Sequence, residues 1–397
     1  MMPAAPAVDH VVVVGGGRWA RQIVAVLYGL LPPQVPLTVY SPRGADAVAV
    51  WAAERGLARR LAVTGQWPDL AAPGRAAVVV ANAARDHAEA ARRALAGGAA
   101  VLVEKPLAVS LDEARDLQFH AAHCGVQLMA AHVLRFARYL DTYAGSLPPL
   151  AQVRAITLEW IDPVSEQRHG EAKQYDPAVP VYIDCLPHAV SVLQAVWGML
   201  PEAAGPPVVQ AGGARVTLPL SLAGRACRVT LQRNGAGRRR RVAVETEAGS
   251  VVLDFSQEPG IIRQDGQERG ADPLWDTAPR PLGSLLAAFL AAAAGGPADP
   301  RLSLDTGLAA CGIAEAVTPA YDAAMLAWLA DRLRLADEPG NDLRYALAEL
   351  LQCHGRLEGP ELELRVRRLR RCFADAATRP GAAASADDLR RLAQGTG

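Results

Sequence analysis

The sequence predicts an α/β fold for its first third, a doubly wound parallel sheet, followed by an α+β unit on a mostly antiparallel sheet. Three observations carry this. Four consecutive valines, Val11 to Val14, run straight into Gly15-Gly16-Gly17. Apolar strand-like and amphipathic helix-like segments then alternate as far as Glu104. Beyond about residue 150 the alternation gives way to short strands separated by turn dipeptides. A chain of 397 residues exceeds what one core usually organises, so two domains are expected.

Val11 to Val14 is β-branched without polar alternation, as in a strand buried on both faces of a parallel sheet. Arg18 to about Leu31 follows as a helix with Ile23, Val24, Leu27 and Leu30 on one side. Pro36 to Tyr40 is the second strand, and the next helix carries Val48, Trp51 and Ala52. Ala76 to Val80 is a strand, Asp86 to Ala96 a helix, and Ala100 to Glu104 a further strand. This βαβ alternation argues for a doubly wound sheet. Gln152 to Ile161 alternates as a strand and leads through a proline-containing polar loop to a helix from about Pro187 to Trp197. Strands follow at Ala214 to Leu222, Arg225 to Gln232, Arg239 to Glu247, Val251 to Phe255 and Ile261 to Gln264. Asn234-Gly235 and Ala248-Gly249 between them read as hairpin turns. Leu282 to Leu333 is helical, broken near Gly295-Gly296-Pro297, and the tail is helical with a linker-like Pro380 to Ser385. The expected division is a dinucleotide-binding domain over 1–130, a substrate and oligomerisation domain over 131–335, and a helical extension over 336–397.

Lys plus Arg equals Asp plus Glu at 41 each, so no net field favours nucleic acid or an anionic membrane. A small-molecule partner is the expectation. Cys124, Cys185, Cys227, Cys311, Cys353 and Cys372 have neither CxxC nor zinc-ligand spacing, which reads as free thiols and no metal site. No signal-like leader or bilayer-length apolar run stands in the sequence, and a cytoplasmic location is expected.

Gly15-Gly16-Gly17-Arg18-Trp19-Ala20 fits G-x-G-x-x-G/A between a strand and a helix, the dinucleotide-binding turn of a Rossmann domain. Gly15 permits the tight turn, Gly17 lets the backbone approach a pyrophosphate on the helix N-terminus, and Ala20 allows close packing. At the end of the second strand an acid would hold the ribose 2′-hydroxyl of NAD. Here the chain reads Tyr40-Ser41-Pro42-Arg43, and Ser41 with Arg43 suits the 2′-phosphate of NADP. NAD is the alternative, with Arg43 a solvated loop residue. Glu104-Lys105-Pro106 follows a strand end, where open α/β sheets place ligands, and Asn82 and His87 follow an earlier strand.

In these segments, with Asp184-Cys185-Leu186-Pro187-His188, the chain resembles the glucose-fructose oxidoreductase, inositol dehydrogenase and MocA-like family of NAD(P)-dependent oxidoreductases. Order and approximate spacing agree over roughly residues 10 to 200. The resemblance implies a Rossmann domain, an open-faced sheet domain, substrate between them over the nicotinamide, and homodimers or homotetramers assembled through the sheet. It implies that Lys105 hydrogen-bonds the reacting oxygen, that His188 gives or takes the proton, and that Asp184 belongs to the same Asp-x-x-x-His pair. Many members have glycine where this chain has Leu186.

Chemically, reduction of a carbonyl develops negative charge on oxygen, so a cation and a proton donor belong beside it. If a helix begins by Asp184, that carboxylate and His188 share one face and the carboxylate orients the imidazole; Pro187 then falls in the first turn. Arg135, in His132-Val133-Leu134-Arg135-Phe136, is a candidate substrate contact or a structural ion pair. Tyr175, Arg168 and His169 read as a cover for the substrate or as a surface loop. The run Arg238 to Arg241 reads as a solvated sheet edge. Gly15, Gly17, Arg18, Trp19, Ser41, Arg43, Asn82, His87, Glu104 and Lys105 are thus the expected cofactor contacts. The leading function is hydride transfer between NADP and a hydroxyl/carbonyl or amine/imine carbon of a small polar substrate; the alternative is a catalytically silent NADP-binding regulator.

Overall fold

The computed structural model describes residues 8–70, 75–163, 166–168, 171–172 and 179–333. Tyr175, His169 and the whole extension 336–397 lie outside the described residues.

The first domain runs β1 (His10–Val14), α1 (Arg18–Leu30), β2 (Leu37–Tyr40), α2 (Ala45–Glu54), β3 (Leu61–Thr64), β4 (Ala76–Val80), α3 (His87–Ala96), β5 (Ala100–Glu104), α4 (Leu111–Cys124) and β6 (Leu128–Ala131). Its strands form one parallel sheet in the order β3-β2-β1-β4-β5-β6. The order reverses between β1 and β4, and that switch point opens the ligand crevice at the strand C-termini. Val11 and Val13 join the core under α1 and α2, whereas Val12 and Val14 join the core under α3 and α4. Both faces are covered, which is why the strand needs apolar residues without alternation.

The second domain continues with α5 (Arg138–Ala144), β7 (Val153–Pro163), the short pair β8 (Gln167–Arg168) and β9 (Glu171–Ala172), α6 (Val181–Trp197), β10 (Glu202–Ala203) and β11 (Val208–Gln210). Next come β12 (Arg215–Leu222), β13 (Arg225–Gly235), β14 (Arg239–Thr246), β15 (Ser250–Asp254), β16 (Ile261–Gln264), β17 (Gln267–Gly270), α7 (Pro281–Ala293) and α8 (Asp305–Leu333). The sheet order is β10-β12-β13-β7-β14-β15-β16-β17, with β11 beside β12. One face packs on α6 and α8 through alternate residues such as Val216, Leu218, Val229, Leu231, Val242 and Val244.

Three sequence expectations change here. Asn234-Gly235 is not a hairpin turn: β13 and β14 lie on opposite sides of β7, parallel and antiparallel to it. Ala248-Gly249 does join an antiparallel pair, β14 and β15. Arg238 to Arg241 is not an edge, because β14 is paired on both sides and Arg240 is buried to 1% exposure. The helix expected from Pro187 begins at Val181, which places Pro187 in the second turn rather than the first. Leu285, Leu286 and Phe289 of α7 return to the core of the first sheet, whose face they complete.

Candidate functional site

The glycine turn is built by two backbone bonds, Gly15 N–H to Tyr40 O at 2.8 Å and Ala81 N–H to Val14 O at 2.8 Å. Gly15 has φ +125°, and a Cβ there would stand 2.6 Å from the Ala81 carbonyl oxygen. A Cβ on Gly16 would meet Ser41 Oγ at 2.5 Å. On Gly17 it would meet nothing within 4 Å. So the first two glycines are required by the fold, whereas the third leaves room beside the α1 N-terminus. No side chain caps that terminus and no acid stands in its first turn. These are the conditions for an anion held on backbone N–H groups.

That room opens into a cleft of about 1060 Å³ lined by Gly15, Gly16, Gly17, Arg18, Trp19, Ser41, Arg43 and Asn82, among others. Ser41 is buried at its far end, and the exposed Arg43 lies 4.0 Å from Asp86. Two residues that the sequence reading passed over line the same end. Trp67 meets Tyr40 edge-on at 5.0 Å, and the Arg93 guanidinium lies 4.4 Å from the Trp67 ring centroid. The cleft therefore fits a dinucleotide in size, in its open glycine backbone and in its basic, aromatic far end.

His87 belongs to the site differently from the expectation. It is buried, with Nδ1 2.7 Å from Pro106 O and Nε2 3.3 Å from Asn82 O. It ties the Asn82 loop to the Lys105-Pro106 segment from beneath rather than lining the cleft. Burial holds its pKa below the ordinary value. Glu104 is buried as well; it accepts from the Lys105 backbone N–H at 3.2 Å and from Trp19, and burial raises its pKa despite those contacts. Glu104 thus joins the glycine turn to Lys105.

Lys105 leaves the end of β5 and meets the second domain. Its Nζ donates to Asp184 Oδ1 at 2.7 Å and to the Asp184 carbonyl at 3.3 Å. Burial works against its charge, but the surrounding acidic groups, Asp184 foremost, together outweigh burial, so its pKa is raised. The ammonium is the working form. Asp184 sits in the first turn of α6, and its Oδ2 accepts from Arg233 of β13 at 3.0 Å. The carboxylate expected to orient His188 therefore has each oxygen on a cation.

His188 lies one turn further along α6, stacked on Trp160 of β7 with centroids 4.3 Å apart and planes 14° apart. The Arg240 guanidinium lies 3.8 Å from the same indole centroid. Two groups so close to one ring centre must occupy opposite faces, giving a stack Arg240–Trp160–His188. Asp162 pairs with Arg240 and anchors its end of the stack. The imidazole plane is set by the sheet.

Arg135 donates to Pro300 O at 3.0 Å, which ties the crossover to the segment before α8 rather than directing it at a substrate. Arg168 contributes backbone to β8. His132, buried, has its Nε2 without a partner and its pKa pushed down to about 3, by burial first and then by Arg135 and Lys105. Arg233 and Arg240 had a sequence signal: they are inward positions of alternating strands, where a charge is out of pattern; Trp160, an apolar ring in the inward row of β7, had none. Lys105 had another. Of 41 basic residues only Lys105 and Lys173 are lysines, so a compact ammonium at the β5 end is not interchangeable charge.

Comparison with known proteins agrees with this fold. The model of an oxidoreductase family with an NAD-binding Rossmann fold matches residues 10–132, the span of β1 to β6. A structure from Magnetospirillum magnetotacticum, provisionally described as an oxidoreductase, is 25% identical, with TM-score 0.61 over 78% of this chain and 100% of its own. UDP-N-acetylglucosamine 3-dehydrogenase from Acidithiobacillus ferrooxidans superposes with TM-score 0.63 at 19% identity, over 80% of this chain and 98% of its own. A 3-ketoreductase from Actinomadura kijaniata, in complex with TDP-benzene and NADP, gives 0.63 at 20% identity over 78% and 96%. No curated protein sequence matches. No helix among the described residues is long and apolar enough to cross a membrane, and no group of His, Cys, Asp and Glu among them could hold a metal.

Proposed function

We propose that this chain, whose residues 10–132 match the model of an oxidoreductase family with an NAD-binding Rossmann fold, is a member of the glucose-fructose oxidoreductase, inositol dehydrogenase and MocA-like family and an NADP-preferring enzyme acting on a hydroxyl or carbonyl carbon of a sugar-like substrate. The carrying observation is the Lys105 ammonium, held 2.7 Å from Asp184 at the strand end beside the dinucleotide cleft, with His188 one turn away. Gly15, Gly17 and the first turn of α1 hold the pyrophosphate, and Ser41 with Arg43 receives the 2′-phosphate. Bound there, the nicotinamide supplies or accepts hydride at the substrate carbon. Lys105 donates to the substrate oxygen as charge develops, and His188 gives or takes its proton. Glu104 and His87 fix the Lys105 backbone, and Trp160 fixes the His188 plane.

A sugar-type substrate is favoured because two neighbours of this fold are named for 3-dehydrogenase and 3-ketoreductase chemistry, one of them on UDP-N-acetylglucosamine. The outer face of the sheet, with Glu159 paired to Arg239 and Arg241, is the surface through which we propose a homodimer or homotetramer in the cytoplasm. Turnover is tested with UDP-N-acetylglucosamine, TDP-linked sugars, free sugars and inositols in both directions. Lys105→Met and His188→Ala should each lower it by about 100- to 10,000-fold, with NADPH affinity little changed. Near wild-type turnover in either variant would remove the assignment at that residue. NADPH binding with no turnover on any substrate would favour the silent regulator.

A further inference from the structure

We propose that Arg233 is a positioning residue of the active site, sharing the Asp184 carboxylate with Lys105 so that the Lys105 ammonium keeps charge to offer a substrate oxygen. This rests on the reading of Lys105 above and adds the group that sets its strength. Arg233 continues the inward row Cys227, Val229, Leu231 of β13 and is 1% exposed. A guanidinium in such a row is costly to bury unless a carboxylate meets it. Asp184 does so, with Oδ2 at 3.0 Å from Arg233 and Oδ1 at 2.7 Å from Lys105. One anion stands between two cations.

The other titratable groups around Lys105 do not cancel its charge. Burial favours the neutral acid of Glu104, keeps His87 and His132 neutral, and pushes the Cys185 thiol up to about 12. His188, one turn beyond Asp184 on α6 and stacked on Trp160, is a further titratable group on this side of the site. Were Arg233 absent, Asp184 and Lys105 would form a closed pair of zero net charge. Such a pair holds its proton more firmly and offers less to an oxyanion. Arginine suits the role, since its fork fixes the carboxylate and it stays charged at any working pH.

The test reads the Lys105 amine directly and needs no substrate. Because the chain has only two lysines, trace acylation of the whole protein by acetic anhydride, read by peptide mass spectrometry, gives the Lys105 rate against Lys173. Only the free amine reacts. In Arg233→Met and Arg233→Gln the Lys105 rate should fall roughly three- to tenfold at a given pH, up to one unit of pKa. Asp184→Asn should raise it, and Arg233→Lys should stay within about twofold of wild type, the charge being kept. Mere loosening of the site would expose Lys105 and speed acylation, the opposite sign. An unchanged or faster Lys105 rate in a cooperatively folded Arg233→Met or Arg233→Gln protein overturns the proposal. So does failure of all three Arg233 variants to fold, which would make Arg233 a structural ion only. Loss of the Lys105 assignment would appear separately, as Lys105→Met with undiminished turnover, and loss of the oxidoreductase reading as NADPH binding without turnover on any substrate.

Discussion

Replacing Gly17 by valine should separate cofactor binding from folding, and Gly15 provides the control. At Gly17 the backbone is extended, φ −71° and ψ 171°, which valine adopts freely, and the Cβ position meets no atom within 4 Å. Its stability should therefore stay within about 0.5 kcal/mol of wild type, as for an unstrained surface change. The added isopropyl group would fill the volume left open beside the α1 N-terminus. A pyrophosphate could no longer reach the N–H groups, and losing two charge-assisted hydrogen bonds of about 1.5–3 kcal/mol each lowers NADPH affinity by at least about 100-fold. At Gly15 even alanine combines φ +125° with a 2.6 Å approach to Ala81 O, and overpacking against backbone typically costs about 1–3 kcal/mol before the strained φ is added. Gly15→Ala should thus melt several degrees lower, whereas Gly17→Val should melt with wild type and fail to bind. The assays are thermal unfolding by circular dichroism and titration of nicotinamide fluorescence. Wild-type NADPH affinity in Gly17→Val would refute the placement of the pyrophosphate.

Two further outcomes follow from the same structure. Ser41 and Arg43 stand where an acid would select NAD, so wild type should bind NADPH more tightly than NADH, and Arg43→Asp should reverse the order by about tenfold or more; equal affinities in wild type would remove that argument. His132 is neutral when folded down to about pH 3 but takes a proton near 6.5 when unfolded, so its contribution is intact above about pH 6.5 and is lost as pH falls towards 3. The slope is at most about 1.4 kcal/mol per pH unit, and His132→Gln should flatten the fall in urea-unfolding free energy between pH 6.5 and 4; an unchanged slope would show that His132 does not control acid stability.

What the sequence determined by itself was local. Val11 to Ala20 specifies strand, turn and helix within ten residues, because strand burial, the positive φ of Gly15 and the open Gly17 position are properties of a short window. A lysine at a strand end is by itself no more than a solvated charge, and Lys105 stood out only beside Asn82, His87 and the Asp184 to His188 segment. Asp184 and His188 were singled out as four residues apart, but the helix start was misplaced by one turn because Pro187 was taken to require the first turn, and the cations that meet Asp184 were not foreseen. Local rules fix what an element is; they do not fix what lies beside it. That β7 inserts between β13 and β14, that α7 returns to the first sheet, and that Arg238 to Arg241 runs through the interior of the second were decided by which apolar faces could be covered together. Arg233 and Arg240 could be recognised as misfits in alternating strands, but their meaning came only with partners far away in the chain, Asp184 and Asp162. A buried charge is tolerable only where a distant counter-charge arrives, and that arrival is a property of the tertiary structure.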